Sequence, residues 1–439
     1  MIPDQMEMLS DRRLWIRPDK IYDFAVVGAG ASGLLAAITA ARNGAKPILL
    51  EHMEQAAKKL LATGNGKCNY TNKDQNPDFY YCAQPDFLQT VLTQFSYADT
   101  VRFFEEIGIR PLQKNGTCIY PENEQAASVR YALLAETQRL RIPLICSIGI
   151  RNIRKVSKKL RGKSVQVFEI QTKEGSVYAV SCLLATGGQA AKKTGSDGSG
   201  YLYAAQLGHT LIPPLPALTP LLVNYRDWKL PSGVRTACTA SLFVDGVCAA
   251  QECGELQITD YGISGIVIFQ FSRLAARALA NDRQVGVRLD FKPEMTRQEL
   301  SDYLYKRLHS IYHLHKTVSA CLKGFLPEKL IPVLVTRAGI KPDLQSVHCT
   351  NKQAGQLAYQ FKNTMLTIIG MKNFDSAQVT AGGVPLEEIH AQTMESRLVR
   401  GLFFAGEIVD VDAKCGGYNL QWAWASGYVA AKHIRKDDA

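Results

Sequence analysis

The sequence predicts an α/β protein in which one dinucleotide-binding domain is built from both ends of the chain and interrupted by a β-rich insertion. Three observations support this class. A glycine motif stands at residues 28–33, an acidic residue follows the next apolar run at position 51, and a glycine-rich segment occupies residues 402–421. Strand and helix patterns alternate at both ends, whereas strand patterns dominate from about residue 201.

The first element is an apolar run at residues 24–27, followed by Gly-Ala-Gly-Ala-Ser-Gly and a helical pattern. Gly28 permits a tight strand-to-helix turn, Gly30 lets the backbone approach a pyrophosphate, and Gly33 allows close packing of helix on strand. The N–H groups at the helix N-terminus would then face the phosphates. A lone motif of this kind is weak evidence, but strand, helix, second strand and acid in this order predict a nucleotide site.

The second element is Glu51, which ends the apolar run about 20 residues after the motif. A carboxylate at this position can accept hydrogen bonds from the ribose hydroxyls of an adenosine. It would repel a 2′-phosphate, so the site favours FAD or NAD over NADP.

Composition sets broad limits on the protein. A chain of 439 residues with 46% hydrophobic residues predicts a large globular enzyme of two or three domains. The first 20 residues are charged and no run is long enough to span a bilayer, so we expect a cytoplasmic protein. The 11 cysteines lack metal-ligand spacing, and we expect reduced thiols with no metal and no iron–sulfur cluster.

The net charge of +11 would permit nucleic-acid binding, but the charges are dispersed. The densest cluster, residues 151–163, alternates with apolar residues. We interpret it as the solvated face of a strand-turn-strand unit, with an RNA-binding patch as the alternative. We therefore expect a small-molecule substrate, no nucleic-acid or membrane partner, and a monomer or homodimer.

Periodicity and chain breakers divide the sequence into three parts. Residues 1–200 and 373–439 are assigned to the two parts of the dinucleotide-binding domain, and residues 201–372 to the insertion. Helical patterns occur in the insertion at residues 297–309, 318–322 and 327–338. An apolar strand before Ala185, Thr186 and Gly187 ends in small residues, which would bring backbone close to a ligand.

The third element is the C-terminal segment, which favours a flavin. Gly406 would let the flavin chain pass, and Glu407 is placed to hydrogen-bond a ribityl hydroxyl. A helix is expected from Gly417, with Tyr418, Asn419 and Leu420 in its first turn. Its N-terminal dipole would face the pyrimidine edge of a flavin, which becomes negative on reduction. The alternative is a glycine-started surface helix without a ligand.

Longer blocks resemble a known family. They are Lys-Leu-Leu-Ala-Thr-Gly-Asn-Gly-Lys-Cys-Asn-Tyr-Thr-Asn at residues 59–72, residues 185–188 and 379–384, and the Gly-Gly-Tyr-Asn-Leu-Gln segment. Together they resemble the BaiN/YhiN-like FAD-dependent flavoproteins, a family of NAD(P)/FAD-dependent oxidoreductases that includes an aminoacetone oxidase. The resemblance covers nearly the whole chain. It implies a discontinuous Rossmann-like FAD-binding domain of the glutathione-reductase type, interrupted by a β-barrel-like domain with a helical subdomain at about residues 295–345.

The resemblance also implies which residues contact FAD. The ADP half would be bound by Gly28, Gly30, Ala31, Ser32, Gly33 and Glu51. A loop beside the pyrophosphate and flavin would contain Lys59, Thr63, Gly64, Asn65, Gly66, Cys68 and Asn69. Glycine and asparagine suit such a loop because they tolerate left-handed backbone. Residues 194–200 resemble the family's loop at the domain crossing, with a flexible hinge as the alternative.

The implied chemistry is hydride transfer through flavin N5. No second glycine motif follows a strand, so NAD(P)H, if it is the donor, is expected to dock transiently at the flavin. The resemblance implies two activities: reduction of a conjugated C=C in a 3-oxo steroid or bile-acid intermediate, or aminoacetone-type amine oxidation by oxygen. An insertion lined by Phe243, Phe269 and Phe271 would suit a flat apolar substrate. A tRNA-modifying flavoprotein and a non-catalytic FAD-binding module are the remaining alternatives.

Two candidate catalytic residues stand where local sequence is distinctive. Asp260 follows Ile258 and Thr259 in a segment where many relatives have a histidine, so a general acid there would be a carboxylate. Cys415 precedes two glycines and would place a thiol near the isoalloxazine, with a packed small residue as the alternative.

Overall fold

The computed structural model describes residues 15–160, 163–224, 231–313 and 315–434. The chain forms two compact units, one from Met1–Pro214 with Val379–Ala439 and the other from Leu215–Gln378. The strands are β1 Ile21–Val27, β2 Pro47–Leu50, β3 Thr71–Asn72, β4 Tyr80–Tyr81, β5 Pro111–Lys114, β6 Cys118–Pro121, β7 Leu144–Ile145, β8 Ile150–Leu160, β9 Lys163–Thr172, β10 Ser176–Leu184, β11 Ile212–Ala217, β12 Leu221–Val223, β13 Val234–Val244, β14 Val247–Ile258, β15 Gly262–Ser264, β16 Val285–Asp290, β17 Thr364–Met371, β18 Val379–Gly383, β19 Leu402–Phe404 and β20 Asp412–Ala413.

The α-helices are α1 Ala31–Arg42, α2 Pro85–Gln94, α3 Tyr97–Glu106, α4 Ala126–Arg139, α5 Ser199–Gln206, α6 Ile266–Ala280, α7 Arg297–Leu308, α8 Val318–Cys321, α9 Ile331–Arg337, α10 Asn351–Lys362 and α11 Tyr418–Lys432. Short 3-10 helices occupy Lys58–Gly66, Pro77–Phe79, Lys192–Thr194, Ile311–His313, Ser346–His348, Leu386–Glu388 and Gly406–Ile408.

The first unit is built on a sheet with strand order β7-β2-β1-β10-β9-β8, and β19 pairs with β10. Strands β2, β1, β10 and β19 are parallel neighbours. Their last residues are in register, because Val27 pairs with both Leu50 and Leu184, and Leu184 pairs with Phe404. The carboxyl ends of four strands therefore share one edge, which is where open α/β sheets bind ligands.

Two glycines bring helices α1 and α11 close to the sheet and to each other. A Cβ atom on Gly33 would overlap the carbonyl oxygen of Gly28, so α1 can lie this close to the end of β1 only with glycine there. A Cβ on Gly427 would lie 2.5 Å from the carbonyl oxygen of Ser32. Helix α11, from the C-terminal part of the chain, therefore packs directly on the first turn of α1.

Buried polar side chains of α11 attach the two parts of the first unit. Gln421 is fully buried, and its Oε1 accepts hydrogen bonds from the hydroxyls of Thr71 (2.7 Å) and Thr100 (2.9 Å). Its Nε2 donates to the carbonyl of Phe95 at 2.9 Å. The indole of Trp424 donates to the carbonyl of Tyr70 at 2.8 Å. These bonds satisfy groups that would be costly to bury unpaired.

The second unit is a closed barrel of strands β12-β15-β14-β13-β16-β17 with helices α6 to α10. The barrel and its helices confirm the predicted β-barrel-like insertion with a helical subdomain. Helices α7 and α10 begin at capping boxes, Thr296 with Glu299 and Thr350 with Gln353, which fix their N-termini. Phe271 is 1% exposed in the core of this unit. Its ring belongs to the hydrophobic core of this unit, and its place on a substrate surface stays a prediction.

The first unit extends to Pro214, past residue 201, where the insertion was expected to begin. Helix α5 belongs to the first unit, and the hydroxyl of Tyr203 donates to the carbonyl of Ile150 at 3.0 Å. The chain after α5 is held there by His209. Its Nδ1 lies 2.7 Å from Glu388 Oε2, and its Nε2 lies 2.9 Å from the hydroxyl of Ser396.

The buried His209 makes stability pH-dependent. Burial holds the pKa of His209 below its usual value, although Glu388 beside it acts in the opposite direction. The unfolded chain therefore takes up a proton near the ordinary histidine pKa of about 6.5 that the folded chain resists. Stability is full above that pH and falls as the pH drops through it.

We expect the unfolding free energy of wild type to decrease from about pH 7.5 to about pH 5.5 by more than that of His209→Gln. Urea titrations followed by tryptophan fluorescence test this, since Trp422 and Trp424 are buried in the first unit. Equal decreases for both proteins would show that His209 is not a source of the pH dependence.

Candidate cofactor site

The glycine turn after β1 leaves open space at one position. Gly28 has φ +100°, and a Cβ there would lie 2.5 Å from the carbonyl oxygen of Ala185. A Cβ on Gly30, by contrast, meets no atom within 4 Å. Gly30 is the N-cap of α1, with no side-chain cap and no acidic residue in the first turn. The turn therefore has room for an anion and presents it with the positive end of a helix.

Glu51 attaches the end of β2 to this turn. The residue is buried, and its Oε2 accepts a hydrogen bond from the backbone N–H of Ala29 at 2.8 Å. Its Oε1 accepts from the N–H of Met53 at 2.9 Å and lies 3.4 Å from His52 Nδ1. Each carboxylate oxygen can accept more than one hydrogen bond. Binding of a ribose by Glu51 is therefore compatible with these contacts and stays a prediction.

The 3-10 segment Lys58–Gly66 ends in left-handed backbone. Gly64, Asn65 and Gly66 have φ of 56°, 54° and 84°, and all three are exposed. A Cβ on Gly64 would lie 3.0 Å from the backbone nitrogen of Asn69. The Gly-Asn-Gly sequence thus forms the turn that its residue types favour. Thr63 stabilises it by donating from its hydroxyl to the carbonyl of Leu60 at 2.6 Å.

Cys68 and Asn69 follow this turn as packed residues. Cys68 is buried with φ 57°, and burial raises the pKa of its thiol to about 12. Asn69 Oδ1 accepts a hydrogen bond from the N–H of Ile119 at 3.2 Å. Both residues therefore support the loop, and contact between their side chains and FAD stays a prediction.

Lys59 and Glu407 form an ion pair across the site. Lys59 Nζ lies 2.7 Å from Glu407 Oε2, and Glu407 Oε1 accepts from the N–H of Thr380 at 2.8 Å. Lys59 Nζ also lies 3.5 Å from the hydroxyl of Ser196. Both oxygens of Glu407 have protein partners but can accept further hydrogen bonds, so its binding of a ribityl hydroxyl stays a prediction.

Sequence reasoning missed Thr380 and Ser196. The hydroxyl of Thr380 accepts hydrogen bonds from the N–H groups of Gln189 and Ala190 at 2.8 and 3.0 Å. The only sequence signal for Thr380 was its place in a block shared with a family. Ser196 lies in the segment 194–200, where a domain crossing or a hinge was expected.

The segment 194–200 packs against the end of β10. A Cβ on Gly187 would lie 2.7 Å from the hydroxyl of Ser196, and a Cβ on Gly200 would overlap the hydroxyl of Thr186. Asp197 Oδ1 accepts from the N–H of Ser199 at 2.9 Å at the start of α5. The lack of a side chain at Gly187, after β10, thus allows the segment 194–200 to pack closely there.

The N-terminus of α11 lies beside the loop. Gly417 is its N-cap, with φ +93°, no side-chain cap and no acidic residue in the first turn. Tyr418 is buried against Phe79 and Tyr80. Asn419 exchanges two 2.9 Å hydrogen bonds with the backbone of Ala413. Tyr418 and Asn419 therefore help to hold the start of α11, and flavin contacts at residues 418–420 stay a prediction.

The two candidate catalytic residues lie in different units. Cys415 is in the first unit, where burial raises the pKa of its thiol to about 12. A protonated thiol is a poor nucleophile, which speaks against a reactive role. Asp260 is in the second unit, exposed, between β14 and β15. Its role stays a prediction.

We expect Cys415→Ser to bind FAD and to be reduced at a rate within about twofold of wild type. The physical reason is that a thiol held neutral by burial resembles a small packed residue. Stopped-flow reduction of the variant and of wild type by the same donor measures this. If the flavin of Cys415→Ser were no longer reduced while FAD was still bound, a redox role for Cys415 would be supported.

Within the described ranges, no group of three or more histidine, cysteine, aspartate or glutamate side chains could hold a metal ion. Among the same residues, no helix has both the length and the apolar character needed to span a membrane.

The site as a whole suits a dinucleotide whose second half extends from the glycine turn toward the N-terminus of α11. Gly30 offers space, α1 and α11 offer two helix N-termini without side-chain caps, and Glu51 lies at the end of β2. The glycine turn and the Lys59–Glu407 pair are connected through Gly406, whose Cβ would lie 2.7 Å from Ser32 Oγ. This arrangement defines a flavoprotein-type dinucleotide site at the carboxyl edge of a parallel sheet.

Comparisons with known proteins agree with this class. The model of the family described as HI0933-like protein Rossmann domain matches residues 22–433, and the chain belongs to this family. It is 40% identical to the 3-dehydro-bile acid delta(4,6)-reductase of Clostridium scindens over 409 residues, covering 93% of this chain and 97% of that protein. The protein is an FAD-dependent oxidoreductase.

The chain is also similar, at lower identity, to two further proteins. The ribosomal RNA dihydrouridine synthase of Haemophilus influenzae is 27% identical over 413 residues, which cover 94% of this chain and 98% of that protein. Among solved structures, 3-ketosteroid delta1-dehydrogenase from Sterolibacterium denitrificans has a TM-score of 0.49 at 12% identity. That match covers 94% of this chain and 99% of the other.

Proposed function

We propose that the protein is a reductase that transfers hydride from reduced FAD to a conjugated C=C bond of a 3-oxo steroid or bile-acid intermediate. The observation that carries this proposal is the 40% identity, over nearly the full length of both chains, to a 3-dehydro-bile acid delta(4,6)-reductase. The cofactor site described above is compatible with the same chemistry, since its glycine turn, acid and C-terminal helix are all present.

In this proposal the chain binds and orients the cofactor. The N-terminus of α1 and the open space at Gly30 hold the pyrophosphate, and Glu51 accepts hydrogen bonds from the adenosine ribose. The N-terminus of α11 stabilises negative charge on the pyrimidine edge. Bound FAD supplies the hydride through N5.

Protonation of the substrate requires an acid, for which we propose Asp260. Its carboxyl group is exposed in the second unit and carries a transferable proton only in its acid form. Under this proposal Asp260→Asn slows steroid reduction and leaves reduction of the flavin by its donor unchanged. An equal effect on both half-reactions would contradict this assignment.

The electron donor is proposed to be NADH or NADPH, docking transiently at the flavin. Anaerobic stopped-flow absorbance tests donor and acceptor separately. The purified yellow protein is first mixed with each nucleotide, and the reduced protein is then mixed with oxygen or with a 3-oxo-4,6-dienoyl steroid. Rapid bleaching followed by fast reoxidation with the steroid and slow reoxidation with oxygen supports the reductase. Bleaching by an amine such as aminoacetone, with fast reoxidation by oxygen, would instead support an amine oxidase.

A second candidate function is modification of RNA, which is favoured by the similarity to a ribosomal RNA dihydrouridine synthase. The basic hairpin of β8 and β9 is the surface to consider. Three of its cations contact the protein: Arg154 pairs with Glu169 at 2.7 Å, and the ammonium groups of Lys155 and Lys158 lie over the rings of Phe168 and Tyr178. This observation favours a small-molecule substrate. A steeply salt-dependent RNA affinity would favour the second candidate.

A further inference from the structure

The Lys59–Glu407 ion pair joins parts of the chain that are 348 residues apart. Lys59 belongs to the loop Lys58–Gly66, and Glu407 follows β19 in the 3-10 segment Gly406–Ile408. The side chains are 27% and 19% exposed. In a pair that is this poorly solvated, removing one charged partner costs free energy because the other charge is left unpaired. The same change in an exposed surface ion pair costs little.

Glu407 is fixed by more than the lysine. The N–H of Thr380, in β18, donates to its second oxygen, and a Cβ on Gly188 would lie 2.9 Å from that same oxygen. Ser196 stands within 3.5 Å of Lys59 Nζ. Four segments of the first unit therefore meet at one pair of opposite charges: the Lys58–Gly66 loop, the end of β10 with residues 187–196, β18, and the segment after β19.

The position of the pair relates it to the cofactor. A Cβ on Gly406, next to Glu407, would lie 2.7 Å from the hydroxyl of Ser32 in the first turn of α1, and Ser32 follows the open position at Gly30. Strands β1, β10 and β19 end at this same edge. A net charge left at this edge would act on any redox group bound there, because Coulomb interactions in a partly buried site are only weakly screened.

We propose that Lys59 and Glu407 are a positioning pair, in which each residue cancels the charge of the other at the flavin site and together they hold the cofactor loop in place. The inference deepens the FAD site and rests on the binding of FAD that the proposed function requires. This role differs from direct binding of a ribityl hydroxyl by Glu407. In the positioning pair, the carboxylate needs the positive charge of Lys59 to cancel its own effect on the flavin.

The two single variants are expected to shift the midpoint potential of the flavin in opposite directions. Lys59→Met leaves a carboxylate without its counter-charge, which disfavours the more negative, reduced flavin and lowers its midpoint potential. Glu407→Gln leaves an ammonium without its counter-charge and raises the potential. The double variant restores neutrality, so its potential returns close to that of wild type. Each single variant also binds FAD about tenfold more weakly, and the double variant recovers part of that loss.

The experiment measures FAD affinity, by flavin fluorescence on adding FAD to each apoprotein, and midpoint potential, by photoreduction with reference dyes. Lys59→Arg keeps the charge and should behave as wild type. Lys58→Met is the matched control, because Lys58 is exposed and adjacent. If Lys59→Met does not fold, Glu407→Gln and the double variant still decide the result.

Opposite shifts in the single variants with recovery in the double variant support the positioning pair. Shifts in the same direction, or potentials unchanged in both single variants, overturn it and leave the pair with a purely structural role. Neither readout uses a steroid or a nucleotide donor. A wild-type protein that binds no FAD would instead contradict the proposed function itself.

Discussion

Gly30→Val is expected to weaken FAD binding strongly and leave the fold intact. Gly30 has φ −82° and ψ −162°, which is extended backbone that valine adopts readily. A Cβ there would have no protein atom within 4 Å apart from its chain neighbours, so the side chain would begin in open space. It fills the space in front of the first turn of α1, where the proposal places the pyrophosphate. The loss of affinity should be about 100-fold or more, equivalent to at least about 2.7 kcal/mol.

Flavin fluorescence gives the affinity, and thermal unfolding of the apoprotein gives the stability. The melting temperature of Gly30→Val should stay within about 2 °C of wild type. Gly33→Ala is the matched comparison, because its methyl group would overlap the carbonyl oxygen of Gly28 and destabilise the apoprotein. If Gly30→Val retained normal FAD affinity, the cofactor would not lie at this turn.

The second large effect is expected from Gln421→Leu, which should lower the unfolding free energy by about 3–5 kcal/mol. Leucine leaves the buried carbonyl of Phe95 without its donor and the hydroxyls of Thr71 and Thr100 without their shared acceptor. Each buried polar group that loses its partner costs about 1–3 kcal/mol. The hydroxyls can rotate toward other partners, which keeps the total below the sum of the maximal values.

Chemical denaturation of the apoprotein measures this loss. Gln206→Leu is the control, because Gln206 is an exposed glutamine at the end of α5 and its replacement should change stability by about 0.5 kcal/mol or less. If Gln421→Leu were as stable as this control, the buried hydrogen bonds of Gln421 would not hold α11 to the first part of the chain.

Local signals were enough to predict much of the first unit. The strand, helix and strand expected at residues 21–51 are β1, α1 and β2, because glycine spacing and apolar runs are short-range features. Helix α3, Tyr97–Glu106, begins at a capping box of Ser96 and Asp99, which is also a short-range sequence feature. The barrel of the second unit followed from family resemblance more than from periodicity.

Contacts between side chains that are far apart in the sequence could not be predicted from it. Nothing in the local pattern shows that Lys59 meets Glu407, or that Gln421 receives the hydroxyls of Thr71 and Thr100. Such contacts depend on how β19 and α11 return to the first part of the sheet. Desolvation is equally invisible in a linear sequence, and it is what raises the pKa of Cys415 and makes that thiol a weak candidate for catalysis.

Under the proposed function, reduced FAD on this protein gives its hydride to a conjugated C=C of a 3-oxo steroid. The most direct measurement is a single turnover in which the photoreduced enzyme, free of any nucleotide, is mixed anaerobically with a 3-oxo-4,6-dienoyl steroid. We predict that the oxidised flavin spectrum returns and that the steroid product, by mass spectrometry, has gained two hydrogen atoms in equal amount to the flavin. A flavin that stays reduced with the steroid present, and is then reoxidised by oxygen, would contradict the proposed function.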